Sequence, residues 1–148
     1  MPEFPDAHLE LLKRHLAAEN AHDLDGTLAT LTTDCEFVDT GSGERWRGHA
    51  EVGAYYQAWW TAFDNHVSTE VRHFPAADLA IVETRWTGRH VAPFWGIEAT
   101  GRQIDVPVLI KVPIRDGLMA GETFFWDRLS LLEQLHASQQ AATLAARA

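Results

Sequence analysis

The chain has 148 residues, 46% hydrophobic and 22% charged, with a formal net charge of -9, the profile of one globular domain built on a single core. That acidity opposes phosphate backbones and anionic lipid, the lone Cys35 can close no internal disulfide, and no apolar run nears the roughly 20 residues of a membrane span. Nucleic acid and membrane partners are therefore not expected; with no Lys or Arg before Lys13 the N-terminus carries the wrong charge for a secretory leader, and a cytoplasmic location is the simplest expectation.

Pro5 and Asp6 open a helix, and Leu9, Leu12 and Leu16 follow at helical spacing over 6–20. Asp23 caps a second, short helix in which Leu24, Leu28 and Leu31 recur one turn apart and which ends before Thr33. Residues 35–39 read as a short strand, stopped by the turn-forming cluster 40–43. Over 49–63, Val52, Tyr55, Tyr56, Trp59, Trp60 and Phe63 fall on one helical face. The pattern then changes to period two, which predicts strands over 67–74, 79–90, 103–114 and 119–129. Arg115-Asp116-Gly117 predicts a tight hairpin between the last two. Pro107 and Pro113 each remove a ladder donor, so their strand is expected at an edge or with a bulge near them. Residues 1–5 and 136–148 are expected to be loosely packed tails of a single domain spanning the chain. Helices first and sheet second give the α+β class: a curved antiparallel sheet wrapped around three N-terminal helices as a cone, its open end a pocket.

In order and spacing, the break at Asn20 to Asp23, Arg47-Gly48, Phe94-Trp95-Gly96-Ile97, Ala99-Thr100-Gly101-Arg102, Arg115-Asp116-Gly117 and the ending Asp127 with Leu131-Leu132-Glu133-Gln134-Leu135 resemble SnoaL-like polyketide cyclases of the nuclear-transport-factor-2-like superfamily. The resemblance implies a cone-shaped domain, commonly a homodimer, that acts on a small molecule with the aspartate of that ending, Asp127, as general acid/base. Steroid isomerases of the same superfamily resemble residues 13–39 in register, which puts Asp39 at their proton-shuttling carboxylate. Their tyrosine donor falls at His15, and their carboxylic-acid donor falls at Val108, which cannot donate. Against the epoxide-hydrolase pattern Arg85 matches the arginine, whereas its two acidic partners fall at Thr87 and Phe124.

On its own physics, Asp39 ends an apolar strand, where burial would raise its affinity for a proton; the alternative is a carboxylate that accepts from the backbone of the 40–43 turn. Asp127 follows Phe124, Phe125 and Trp126, and alternation in a regular strand would put Trp126 and Asp127 on opposite faces, so either could line the cavity. Arg85 would need an acid if it pointed inward, while His15 and Glu19, one helical turn apart, could both reach the mouth of the cone.

Six Trp, seven Phe and two Tyr exceed what so small a core needs, and suit a cavity for a flat or polycyclic apolar molecule. Tyr56, Trp59, Trp60 and Phe63 on the third helix are expected to line it, with Phe37, Val106 and Val108 from the strands and Trp95, Phe124 and Trp126 beside them. His8, His15 and His22 stand about 10 Å apart along a helix, too far for shared coordination, so no metal and no cofactor are expected. The expected activity is proton transfer next to a carbonyl, most simply an aldol ring closure, with Asp127 as acid/base, Asp39 as second proton carrier, and Arg85 and His15 as electrostatic partners. Two alternatives stay open: an epoxide hydrolase or hydratase centred on Arg85, and a non-catalytic ligand-binding or association domain.

Overall fold

A computed structural model describes residues 5–75 and 78–136; most of the expected tails lie outside the described residues. Helix α1 covers Asp6–Asn20 and α2 covers Leu24–Leu28, the latter capped by the Asp23 side chain accepting from the backbone N–H of Gly26. Leu31 ends the leucine repeat but is the first residue of strand β1 (Leu31–Asp39), where it is buried, so α2 is shorter than its apolar spacing predicts. A short β2 (Arg45–Arg47) leads into α3 (Gly48–Ala62), then come β3 (Phe63–Pro75), β4 (Leu79–His90), β5 (Gln103–Arg115), β6 (Leu118–Trp126) and a final α4 (Arg128–Gln134).

The fold is α+β: N-terminal helices against a curved six-stranded sheet of order β2-β1-β6-β5-β4-β3, left unclosed with β2 and β3 at its edges. The sheet is mixed rather than wholly antiparallel. β1 runs parallel to β6, a pairing that needs the long crossover that separates them in the chain. The hairpin at Asp116 and Gly117 has positive φ at both residues (53° and 74°), the twist that two-residue connections require.

Both prolines of β5 sit where no ladder donor is needed. β6 pairs with β5 only from Val108 onward, so the 103–107 segment has no β6 neighbour beside Pro107. There the Gln134 side chain takes the place of a strand, accepting from the N–H of Asp105 (2.7 Å) and donating to its carbonyl (3.1 Å). Pro113 falls in a register shift between Lys111 and Ile114.

The concave face of the sheet carries Trp86 of β4, Val106, Val108 and Ile110 of β5 and Phe124 of β6, all buried, and α3 lays Tyr55, Tyr56 and Trp59 onto it. Rings fill the space between: Phe37 meets Tyr55, Tyr56 and Phe124 edge-on at 5.5–5.6 Å, and Trp59 meets Trp86 at 5.2 Å. The cone is thus not the open funnel expected. Among the described residues its interior holds hollows of about 20 and 30 Å³, each the room of one or two water molecules. Among the described residues no helix is long and apolar enough to cross a membrane.

Candidate active site

An acidic residue enters the interior through a change of register in β6. Ile114 faces Met119 and Lys111 faces Thr123, so three steps along β5 oppose four along β6, which makes a β-bulge with one extra residue. Met119 points inward (1% exposed); strict alternation from there would send 121, 123 and 125 inward. The extra residue shifts the phase, and Glu122, Phe124 and Trp126 face in while Phe125 stands 49% exposed. Gly121 permits it: its φ is +149°, and a Cβ there would lie 2.0 Å from the carbonyl oxygen of Glu36 on β1.

Glu122, 5% exposed, meets His15 of α1, equally buried. The His15 Nε2 lies 3.4 Å from Glu122 Oε1, 3.2 Å from Glu19 Oε2 and 3.2 Å from the Tyr56 hydroxyl. On its other side Nδ1 is 2.7 Å from the Thr30 hydroxyl, which itself donates to the Thr27 carbonyl at 2.6 Å. With its only proton committed, Thr30 can accept alone, so Nδ1 carries a hydrogen. A neutral ring would then turn the Nε2 lone pair toward two carboxylates, whereas an imidazolium donates to them. Burial pulls the His15 pKa down, but hydrogen bonds and charge from Glu122 and Glu19 outweigh it and carry the pKa up to about 10.

The two carboxylates respond in opposite directions. Burial raises Glu122, opposed by His15, and leaves it above the ordinary carboxylate range. Burial acts on Glu19 too, but the His15 hydrogen bond and charge, with a 3.0 Å bond from the Ser68 hydroxyl, bring it below that range. Tyr56 is pushed well above its usual value, by burial first and then by both carboxylates, so it stays a phenol able to donate. The ligand atoms of His15, Glu19 and Glu122 all lie within 4.8 Å of one another, a spacing that a divalent cation could bridge only by displacing the His15 proton. The smaller hollow adjoins this group, between Glu19, Tyr56 and Glu122 on one side and Trp60, Trp86 and His66 on the other. Burial lowers the His66 pKa to about 4, and its Nδ1–H donates to the Thr87 carbonyl, leaving a neutral ring stacked on Trp59.

Apart from Trp126, which turns inward against Trp59, Trp86 and Trp95, the sequence-predicted residues divide into four sets. His15, Glu19, Tyr56, Trp59, Trp60 and Phe124 gather at the interior group. Phe37, Phe63, Val106 and Val108 are buried and border neither of the interior hollows. Asp39 and Trp95 line a separate cleft of about 620 Å³ on the far side of α3, with Tyr55 and Trp59 shared between cleft and interior. Asp39 is 4% exposed, and its Oδ1 accepts from the backbone N–H groups of Gly41 (2.8 Å) and Ser42 (3.2 Å) and from Trp126 Nε1 (3.2 Å).

The remaining set faces away. Asp127 is exposed, because β6 stops at Trp126 and its carboxylate caps α4, accepting from Leu129 and Ser130; it does not share a cavity with Asp39. Arg85 points to the outer face of β4 and pairs with Asp105 at 2.7 Å, on the opposite side of the sheet from the interior carboxylates Glu19 and Glu122. Thr87 lies two residues along the same outer face. The sequence reading misses Glu122, Thr30 and Ser68; Pro113 on β5 and Gly121, a glycine inside the β6 strand pattern, are the sequence signals for the bulge that turns Glu122 inward.

The SnoaL-like domain family model matches residues 12–122. TsrD from Streptomyces laurentii is 26% identical with a TM-score of 0.79, covering 92% of this chain and 99% of its own. A protein of Pseudomonas putida KT2440 provisionally named a polyketide cyclase is 25% identical with a TM-score of 0.78, covering 86% of this chain and 96% of its own. A SnoaL-like protein of Jannaschia sp. CCS1, provisionally named likewise, superposes with a TM-score of 0.82 at 21% identity over 93% of this chain and 98% of its own. No curated protein matches the sequence.

Proposed function

The chain belongs to the SnoaL-like domain family, and on that footing we propose that it is a cyclase-type small-molecule enzyme that moves protons next to a carbonyl, with ring closure by intramolecular aldol addition as its reaction. The observation that carries this reading is a buried acid–base group, Glu122 with His15, Glu19 and Tyr56, set against an aromatic hollow in the interior. Glu122 is the base. Burial makes its carboxylate more basic than one in water, so it can take a proton from carbon α to a ketone. The Tyr56 hydroxyl, which donates to Glu19 Oε2 at 3.3 Å, turns to the enolate oxygen that forms, and the His15 imidazolium, its two N–H groups held by Thr30 and the carboxylates, supplies positive charge beside it. The enolate carbon then adds to a second carbonyl of the same molecule, and the new alkoxide takes back the proton held by Glu122. Glu19, kept ionised, and Thr30 hold the imidazole in place. Positioning by the aromatic walls can supply roughly 7–11 kcal/mol of such a barrier. A polycyclic substrate is far larger than the hollow, so entry requires Trp60 and its neighbours to move aside.

In this reading Asp127 stabilises α4 and carries no proton to substrate. The test is Glu122→Gln, with flat polycyclic and linear polyketone substrates assayed for turnover and tryptophan fluorescence reporting binding. Loss of turnover with binding retained is expected. Full turnover in that variant would move the chemistry elsewhere, and binding without turnover in the unmodified protein would favour a ligand-binding domain.

A further inference from the structure

The cleft on the far side of α3 has a composition of its own. Two carboxylates, Asp39 and Glu44, border it, no Lys, Arg or His does, and its apolar wall is mostly aromatic: Trp46, Tyr55, Trp59 and Trp95. Its volume of about 620 Å³ lies within the range of small-ligand sites. Asp39 is the unusual member. It is 4% exposed and accepts three hydrogen bonds, yet among the described residues no Lys, Arg or His forms an ion pair with it, so its carboxylate is met by neutral donors alone. Three donors fix its Oδ1, so the carboxylate is held in place, while Oδ2 has no hydrogen-bond partner among the described residues. The rings nearby suit a positive charge: Trp95 already receives the Arg128 guanidinium at 4.1 Å from its centroid.

We propose that this cleft binds an organic ammonium ligand, the cationic head resting against Trp46, Trp59 and Trp95 with Asp39 as its counter-charge. Apolar walls disfavour a strongly hydrated metal ion or a bare ammonium, and favour a nitrogen that carries alkyl groups, whose water shell is weak and whose surface is itself apolar. Glu44, at the exposed rim, adds attraction during approach.

The test compares choline with 3,3-dimethylbutan-1-ol, which replaces the ammonium nitrogen by carbon at the same shape, using calorimetry and tryptophan fluorescence on the full chain. Choline is expected to bind saturably and the alcohol at least tenfold more weakly. Asp39→Asn keeps an oxygen for the three donors, so its fold should survive, and choline affinity should fall at least tenfold. Trp95→Leu provides a second arm that leaves Asp39 and its turn intact, with the same expectation. Absence of saturable choline binding, equal binding of the alcohol, or unchanged affinity in a folded Asp39→Asn or Trp95→Leu variant overturns the proposal. Glu122→Gln should bind choline like the unmodified protein, so the failure of this site and the failure of the interior acid–base group are separable.

Discussion

Replacing Gly121 by Ala tests the device that turns Glu122 inward. A methyl group there would sit 2.0 Å from the Glu36 carbonyl oxygen and 2.9 Å from the carbonyl carbon and nitrogen of the same residue. These are backbone atoms, so relief requires β1 and β6 to part locally, breaking one or two ladder bonds at about 1 kcal/mol each. The φ of +149° adds about 1–3 kcal/mol for a residue with a side chain. The total is about 2–5 kcal/mol, a fall of about 10 °C in melting temperature for a domain of this size. Gly43→Ala serves as the control, since its φ is +78° with nothing within 4 Å of an added Cβ, and it should lose only the conformational part. The assay is thermal unfolding followed by circular dichroism, with the His15 ring resonances reporting whether Glu122 still faces it. Equal melting of the two variants, or an unchanged His15 signal in a destabilised Gly121→Ala, would refute the account of the bulge.

The His15 pKa is raised from 6.5 to about 10, so its protonated form stabilises the fold fully below about pH 6.5 and that contribution is lost as pH rises through 10. A melting temperature that declines from pH 7 to 10, reflecting a few kcal/mol, is expected. His15→Gln should flatten that slope, and an equal slope in the variant would assign it to other groups. Asp127→Ala removes the α4 cap and should cost about 1 kcal/mol of stability with turnover within about twofold of the unmodified protein; loss of turnover in a folded variant would return Asp127 to the chemistry.

Much of the architecture could be read from local pattern because local physics decides it. The extent of α1 follows from its apolar spacing and from Pro5, the 116–117 hairpin from residues that tolerate positive φ, and the bulge near Pro113 from a missing donor. That His15, Glu19 and Tyr56 could meet in the interior was legible from helical phase, which α1 and α3 keep without interruption. Glu122 was not, because one extra residue in β6 inverts the inside–outside parity of everything after it, and alternation counted from Met119 assigns Glu122 to the surface. Asp127 was misplaced for a related reason. The aromatic run Phe124-Phe125-Trp126 reads as strand through Asp127, while Asp followed by Leu129 and Ser130 amides is a helix start, and the start prevails. Arg85 and Thr87 followed the resemblance to epoxide hydrolases inward, but β4 turns its odd-numbered residues outward, where Asp105 satisfies the guanidinium.

Gln134 has a consequence for how the chain may be shortened. Its amide occupies the flank of β5 at Asp105 that β6 does not reach, so α4 acts as a stopper on an otherwise vacant stretch of sheet margin. Cutting the chain after Trp126 would leave every strand intact and still uncover the Asp105 N–H and carbonyl on a flank of β5 that no strand pairs. Such a truncated protein also loses the buried Leu131, Leu132 and Leu135, so it should be destabilised as well as prone to associate edge to edge with its own copies.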